Sequence, residues 1–167
     1  MKRILVTGMS GTGKSTVIGE LATRGYKAVD ADTDEYSEWV KVVGNTSALG
    51  SPAWGARDWV WREDRMQALL STEDADVLFV SGCAANMRTF LPQFDHVVLL
   101  SAPADILVER LRTRTTNSYG KDPEEITRML ELVETVEPLL RRAAGHEIDT
   151  SAPLSDVVAA LLRLAQA

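Results

Sequence analysis

Apolar positions along the chain come in two kinds of run. Short, nearly unbroken runs at Ile4-Leu5-Val6, Tyr26 to Val29, Asp76 to Gly82, His96 to Leu100 and Glu147 to Thr150 predict five strands. Between them, apolar residues recur at helical spacing. Val17, Ile18 and Leu21 mark a helix over 16–24, and Trp59, Met66, Leu69 and Leu70 mark one over 58–71. A further helix runs from Ala104 to about Arg114 behind Pro103, and Leu154, Val157, Val158, Leu161 and Leu162 mark the closing one over 153–166. A long helical pattern from Pro123 to about Ala143 carries Pro138 inside it, which should kink or divide it, because proline lacks the N–H that the preceding turn needs. Asp32 or Asp34 is suited to cap a helix beginning near Glu35. Strands alternating with helices predict an α/β domain with a right-handed parallel sheet, and 167 residues suffice for a single domain, 1–167.

Composition narrows the setting. Hydrophobic residues at 45% and charged residues at 25% fit an ordinary globular protein, and no apolar run approaches the length that crosses a bilayer. Met1-Lys2-Arg3 leads straight into the first strand, so a cytoplasmic location is expected. Cys83 is the one cysteine, which excludes an internal disulfide and agrees with a reducing compartment; it reads as a buried filler. A net charge of −6 argues against broad binding to nucleic acid or to a membrane surface, so any anion site must be local. A monomer and a homodimer are equally allowed. His96 and His146 begin strands without a cluster of other ligands and receive no chemistry.

Gly8-Met9-Ser10-Gly11-Thr12-Gly13-Lys14-Ser15-Thr16 matches G-x-x-x-x-G-K-[ST] between a strand and a helix. Glycines let the backbone curl its N–H groups around an anion, Lys14 adds a point charge, and the helix aims its positive end at the same phosphates. The Ser15 hydroxyl is suited to ligate Mg²⁺. After the second strand come Asp30-Ala31-Asp32-Thr33-Asp34, at the carboxyl edge where open α/β sheets bind ligands. Asp30 and Asp32 read as a metal partner and as a proton acceptor for a substrate hydroxyl, with Asp32 favoured on the metal beside Ser15. Asp34 suits a helix cap better.

Residues 35–71 read as a cap over an acceptor. All four tryptophans, Trp39, Trp54, Trp59 and Trp61, fall there, and residues 44–57 are rich in turn formers. Trp59 fits a buried helix side; Trp54, in the glycine-rich loop, suits core packing and contact with a ring-shaped ligand about equally. Arg62 and Arg65 lie beside the helical stripe, and Gly82 and Arg88 follow the third strand as further candidate acceptor contacts, with a solvated surface role open for Arg88. Arg110 and Arg114, one turn apart, share a face leading into a polar loop, and residues 110–123 read as a lid that closes over a polyphosphate.

Taken together, the phosphate loop, Asp30-x-Asp32, Trp61-Arg62, Glu109-Arg110 with Arg114, and Glu137-Pro138-Leu139-Leu140 followed by Glu147 to Thr150 and Pro153 resemble the small P-loop kinases: shikimate, gluconate and adenylate kinases and their relatives. That resemblance implies a three-layer P-loop NTPase fold with strand order 2-3-1-4-5, an acceptor cap and an arginine-bearing lid. It implies transfer of the γ-phosphate of ATP to a small molecule with Mg²⁺. Arg110 and Arg114 would neutralise charge on the transferred group, and Pro153 would lie on the adenine side. The departures fall on the acceptor side. Ser81-Gly82-Cys83-Ala84 stands where shikimate kinases carry three glycines, and Glu137 stands where they have an arginine before the late proline. A nucleoside or nucleotide kinase, an antibiotic-modifying phosphotransferase, and a nucleotide-binding regulator or slow ATPase without acceptor are the alternative readings.

Overall fold

The computed structural model describes residues 1–41, 57–114 and 121–167. Five parallel strands form the central sheet: β1 (Lys2–Thr7), β2 (Lys27–Asp30), β5 (Val77–Ser81), β6 (His96–Ser101) and β7 (His146–Asp149), in the order β2-β5-β1-β6-β7. Counted over these five strands alone, this is the expected 2-3-1-4-5. Burial on both faces explains the nearly continuous apolar spelling of β5 and β6.

Along β1 the side chains alternate between two cores. Ile4 and Val6 face α1 (Lys14–Thr23) and α6 (Leu154–Gln166), packing with Val17, Ile18, Leu21, Val158 and Leu161. Leu5 faces the other layer, with Met66 and Leu70 of α2 (Glu63–Leu70), Phe90 of the 3₁₀ turn Met87–Gln93, and Leu140 of α5 (Glu137–Ala143). A small third cluster, Leu107, Leu111 and Met129, ties α3 (Ala104–Thr113) to α4 (Pro123–Thr135). The long pattern from Pro123 is thus divided, with the break at Val136 and Pro138 in the first turn of α5, where its missing N–H costs nothing.

Two expectations fail between residues 31 and 62. No helix begins at Glu35: Tyr36 and Ser37 both donate to the Thr33 carbonyl in a tight turn, and the chain then extends as β3 (Ser37–Lys41). The helix expected from Asp58 begins only at Glu63. Residues 57–61 instead form β4 (Arg57–Trp61), antiparallel to β3 with Trp39 opposite Trp59. The reason is local: Trp59-Val60-Trp61 is aromatic and β-branched, and alternation at a spacing of two puts both indoles on one face. Glu63 and Asp64 then open α2 with negative charge in its first turn, which suits the helix dipole. Of the segment read as a turn-rich loop, residues 44–56, Trp54 among them, lie outside the described residues, as do 42–43 before it and 115–120 of the lid.

Candidate active site

The phosphate loop leaves β1 at Gly8, where a Cβ would stand 2.5 Å from the Leu100 carbonyl oxygen, so nothing larger than glycine fits. Gly11 and Gly13 have φ of +86° and +96°, a conformation that costs side-chain-bearing residues. Thr12 is buried and its hydroxyl donates to the Met9 carbonyl at 2.8 Å, bracing the turn from inside. Lys14 opens α1 and its ammonium donates to the Gly8 and Met9 carbonyls at 2.6 and 3.1 Å, lying across the loop mouth. Ser15 and Thr16 are exposed on the first turn of the same helix.

The end of β2 brings the carboxylates to this loop. Asp30 Oδ2 accepts the Ser15 hydroxyl at 3.0 Å, while its Oδ1 accepts the Asp32 amide at 3.0 Å and the Ser81 hydroxyl at 3.4 Å. The residue meeting Ser15 is therefore Asp30 and not Asp32. Asp32 points the other way: its Oδ1 accepts the Trp59 indole N–H at 3.2 Å and the Cys83 amide at 3.3 Å. Burial raises the Asp32 carboxyl above its ordinary range, against the opposing pull of the Lys14 ammonium. Neither Trp59 nor the Cys83 amide stood out in the sequence as a polar partner. Only the alternation of Arg57 to Trp61, read as a strand, would have pointed Trp59 at the crevice.

Gly82 supplies a close approach. A Cβ there would meet the Trp61 indole nitrogen at 3.1 Å and Asp32 Oδ1 at 3.2 Å. Burial pushes the thiol of Cys83 beside it up to about 11, which disfavours the thiolate.

The expected arginines disperse. Arg110 donates to the Gly11 carbonyl at 3.1 Å, to the Thr150 hydroxyl at 2.9 Å and to the Thr150 carbonyl at 2.6 Å, stapling α3 to the phosphate loop and to the turn after β7 that leads to Pro153. Arg114 is the residue just past α3, in extended conformation, so the shared helical face with Arg110 ends there. Arg62 pairs with Glu38 at 2.9 Å and donates to the Asp34 carbonyl at 3.1 Å. Arg65 donates to the Glu35 carbonyl at 2.7 Å, and Arg88 is exposed on the 3₁₀ turn. Glu38 lies on the ribbon face opposite Trp59, and a groove of about 610 Å³ on that side, lined by Glu38, Val40, Val60, Arg62 and Glu63, does not include the phosphate loop.

Ser15 and Asp30 offer adjacent hard oxygen donors, the kind Mg²⁺ prefers. No cluster of three or more His, Cys, Asp or Glu residues able to hold a metal occurs among the described residues, so the donor set fits an ion that completes its shell from phosphates and water. No helix among the described residues is long and apolar enough to cross a membrane.

A phosphate loop on the first strand of a five-stranded parallel sheet, with a carboxylate from the end of β2 meeting its serine, defines a P-loop nucleotide-binding domain. The family model described as AAA domain matches residues 4–131, and the chain belongs to that family. Within the P-loop proteins it is similar to small kinases. It is 27% identical to a shikimate kinase 2 of Yersinia enterocolitica over 96% of this chain and 94% of that one. It is 29% identical to a shikimate kinase 2 of Sodalis glossinidius over 97% and 94%. Among solved structures, shikimate kinase from Acinetobacter baumannii in complex with shikimate superposes with a TM-score of 0.64 at 22% identity, covering 98% of this chain and 92% of that one. Shikimate kinase from Bacteroides thetaiotaomicron gives 0.65 at 19% identity, covering 99% of both chains.

Proposed function

We propose that the protein transfers the γ-phosphoryl group of ATP to a hydroxyl of a small molecule. The observation that carries this is the separate placement of two carboxylates: Asp30 meets Ser15 of the phosphate loop, and Asp32 meets the Trp59 indole N–H and the Cys83 amide while still feeling the Lys14 charge. In this reading the backbone N–H groups from Gly11 to Ser15 and the Lys14 ammonium hold the β- and γ-phosphates. Ser15 and Asp30 would hold Mg²⁺, which when bound would supply neutralising charge to those phosphates. Asp32 orients the acceptor hydroxyl and takes its proton, a role that its burial and raised pKa suit better than metal ligation.

Arg110 fixes the loop carbonyl side and the turn before Pro153, where the nucleoside end of ATP would lie, and Arg114 stands at the entry to the lid, 110–123, where it would meet charge on the transferred group. Arg62, Arg65, Gly82, Arg88 and Trp54 remain acceptor-side candidates, of which Gly82 has the strongest support through its closeness to Asp32. Thr16 and the loop glycines complete the donor side.

ATP consumption measured with shikimate, gluconate, nucleosides and aryl alcohols tests the assignment. Lys14→Ala should lower turnover by about 10²-fold or more while the fold is kept, because it removes a charge aimed at the phosphates. Transfer at near wild-type rate by that variant would sink the reading.

A further inference from the structure

The β3–β4 ribbon has one face turned to the reaction centre. Its register pairs Ser37 with Trp61, Trp39 with Trp59 and Lys41 with Arg57, and directly opposite residues share a face. Trp59 on that face donates to Asp32, so the whole row stands on the Asp32 side. The indoles form a graded surface. Trp61 is 1% exposed, Trp59 is half-buried, and Trp39, its ring 5.1 Å from that of Trp59, is 58% exposed. The Arg57 guanidinium lies 5.5 Å over the Trp39 ring at the outer end.

A second observation lies at the inner end. The Trp61 indole N–H is buried and has no hydrogen-bond partner among the described residues, an arrangement that proteins seldom leave in place without a ligand or a water to meet it. It stands 3.1 Å from the point where a Gly82 side chain would begin, and Asp32 Oδ1 stands 3.2 Å from that same point. An unmet donor therefore sits beside the carboxylate that faces the acceptor.

Apart from Lys41 and Arg57 at the outer end of the row, several positive groups nearby are engaged elsewhere. Arg62 is bound to Glu38 and the Asp34 carbonyl on the opposite ribbon face, Arg65 to the Glu35 carbonyl, Arg110 to Gly11 and Thr150, and Lys14 to the loop carbonyls. Residues 42–56 and 115–120 contain no charged residue, so those segments supply none. The side-chain oxygen of Asp32 accepts from neutral N–H donors, the Trp59 indole and the Cys83 amide. The cations of this face, Lys41 and Arg57, stand at its outer end, beyond the Trp39–Trp59 pair.

We propose that the acceptor carries its hydroxyl on or next to a flat ring that lies against Trp39 and Trp59 while the hydroxyl reaches Asp32. This rests on the phosphotransferase reading above. The acceptor oxygen forms its bond to the γ-phosphorus as the bond from that phosphorus to the ADP oxygen breaks, and the hydroxyl proton passes to Asp32. Aryl alcohols, phenols and nucleosides share this chemistry, and the assay separates them.

The test measures kcat/KM of the full chain with Mg²⁺ and ATP for aryl alcohols, phenols, nucleosides, shikimate and gluconate, repeated with Trp39→Ala and Trp39→Phe, with binding followed by tryptophan fluorescence. The expected result is turnover of one ring class, with its KM raised roughly tenfold relative to the KM for ATP in Trp39→Ala and mostly restored in Trp39→Phe. Trp39 is largely exposed, so thermal melting should not change and loss of fold is not the cause. Shikimate or gluconate turned over at least as well as every ring compound, and equally by Trp39→Ala, overturns the proposal and leaves the phosphotransferase reading standing. Tight binding of ATP with no ring compound turned over or quenching fluorescence overturns it too. ATP binding unaltered by Lys14→Ala, with no acceptor consumed, removes both.

Discussion

Asp32 carries opposing demands within one side chain. Folding encloses its carboxyl, and burial raises its pKa above the ordinary 3.8 despite Lys14 and two N–H donors. The sign follows directly: a group whose folded pKa exceeds its unfolded one costs stability when ionised, and the cost is complete at pH above the folded value and vanishes as pH falls below 3.8. Asp32→Asn keeps an oxygen for the Trp59 and Cys83 N–H groups and removes the charge. Thermal melts should therefore show the variant more stable than wild type at neutral pH, with the difference closing in acid, while phosphoryl transfer is lost. A variant less stable at pH 7 would show that Lys14 outweighs burial. Asp32 as a site residue was legible because its type and strand-end position suffice to nominate it. Its separation of duty from Asp30 was not, since both aspartates sit two residues apart in the chain and only the path of the turn decides which one meets Ser15.

At the scale of elements, the phosphate loop and α1 are readable because every participant is consecutive: strand, glycines, lysine and helix start occupy residues 4–16. The β3–β4 ribbon is not, because Trp59, Met66 and Leu69 also satisfy a helical period, and the choice is made by pairing with a strand about twenty residues earlier. Arg110 shows a similar limit. Helical spacing placed it beside Arg114 in a lid, whereas its guanidinium spans to Gly11 and Thr150 and so joins three elements. Arg110→Ala should raise the KM for ATP roughly tenfold, from loss of charged hydrogen bonds at about 1.5–3 kcal/mol. Faster hydrogen exchange around Thr150 and Ser151 should accompany it. An unchanged KM with unchanged exchange would mean that the staple is idle.

The whole molecule is held by two apolar layers that share β1, β5 and β6 as their common wall. Leu5, wholly buried in the layer that also contains Met66 and Phe90, should cost about 2–5 kcal/mol when cut to alanine, measured by urea unfolding. Leu154→Ala, at a position 37% exposed, should change stability by no more than about 0.5 kcal/mol. The strands and the parallel sheet followed from apolar spelling, because burial on two faces leaves a mark on every residue of a strand, whereas their order and the layering followed only from the resemblance to the small P-loop kinases. The acceptor side left no such mark, being assembled from residues far apart in the chain. It also has a separate architecture. The ribbon's strands pair only with each other and contribute no rung to the main sheet. β3 and β4 can therefore change their exposed residues without breaking a rung of the main sheet, provided that position 61 still fills the core. Selection, natural or in the laboratory, is then free to exchange one acceptor chemistry for another while the nucleotide half stays as it is.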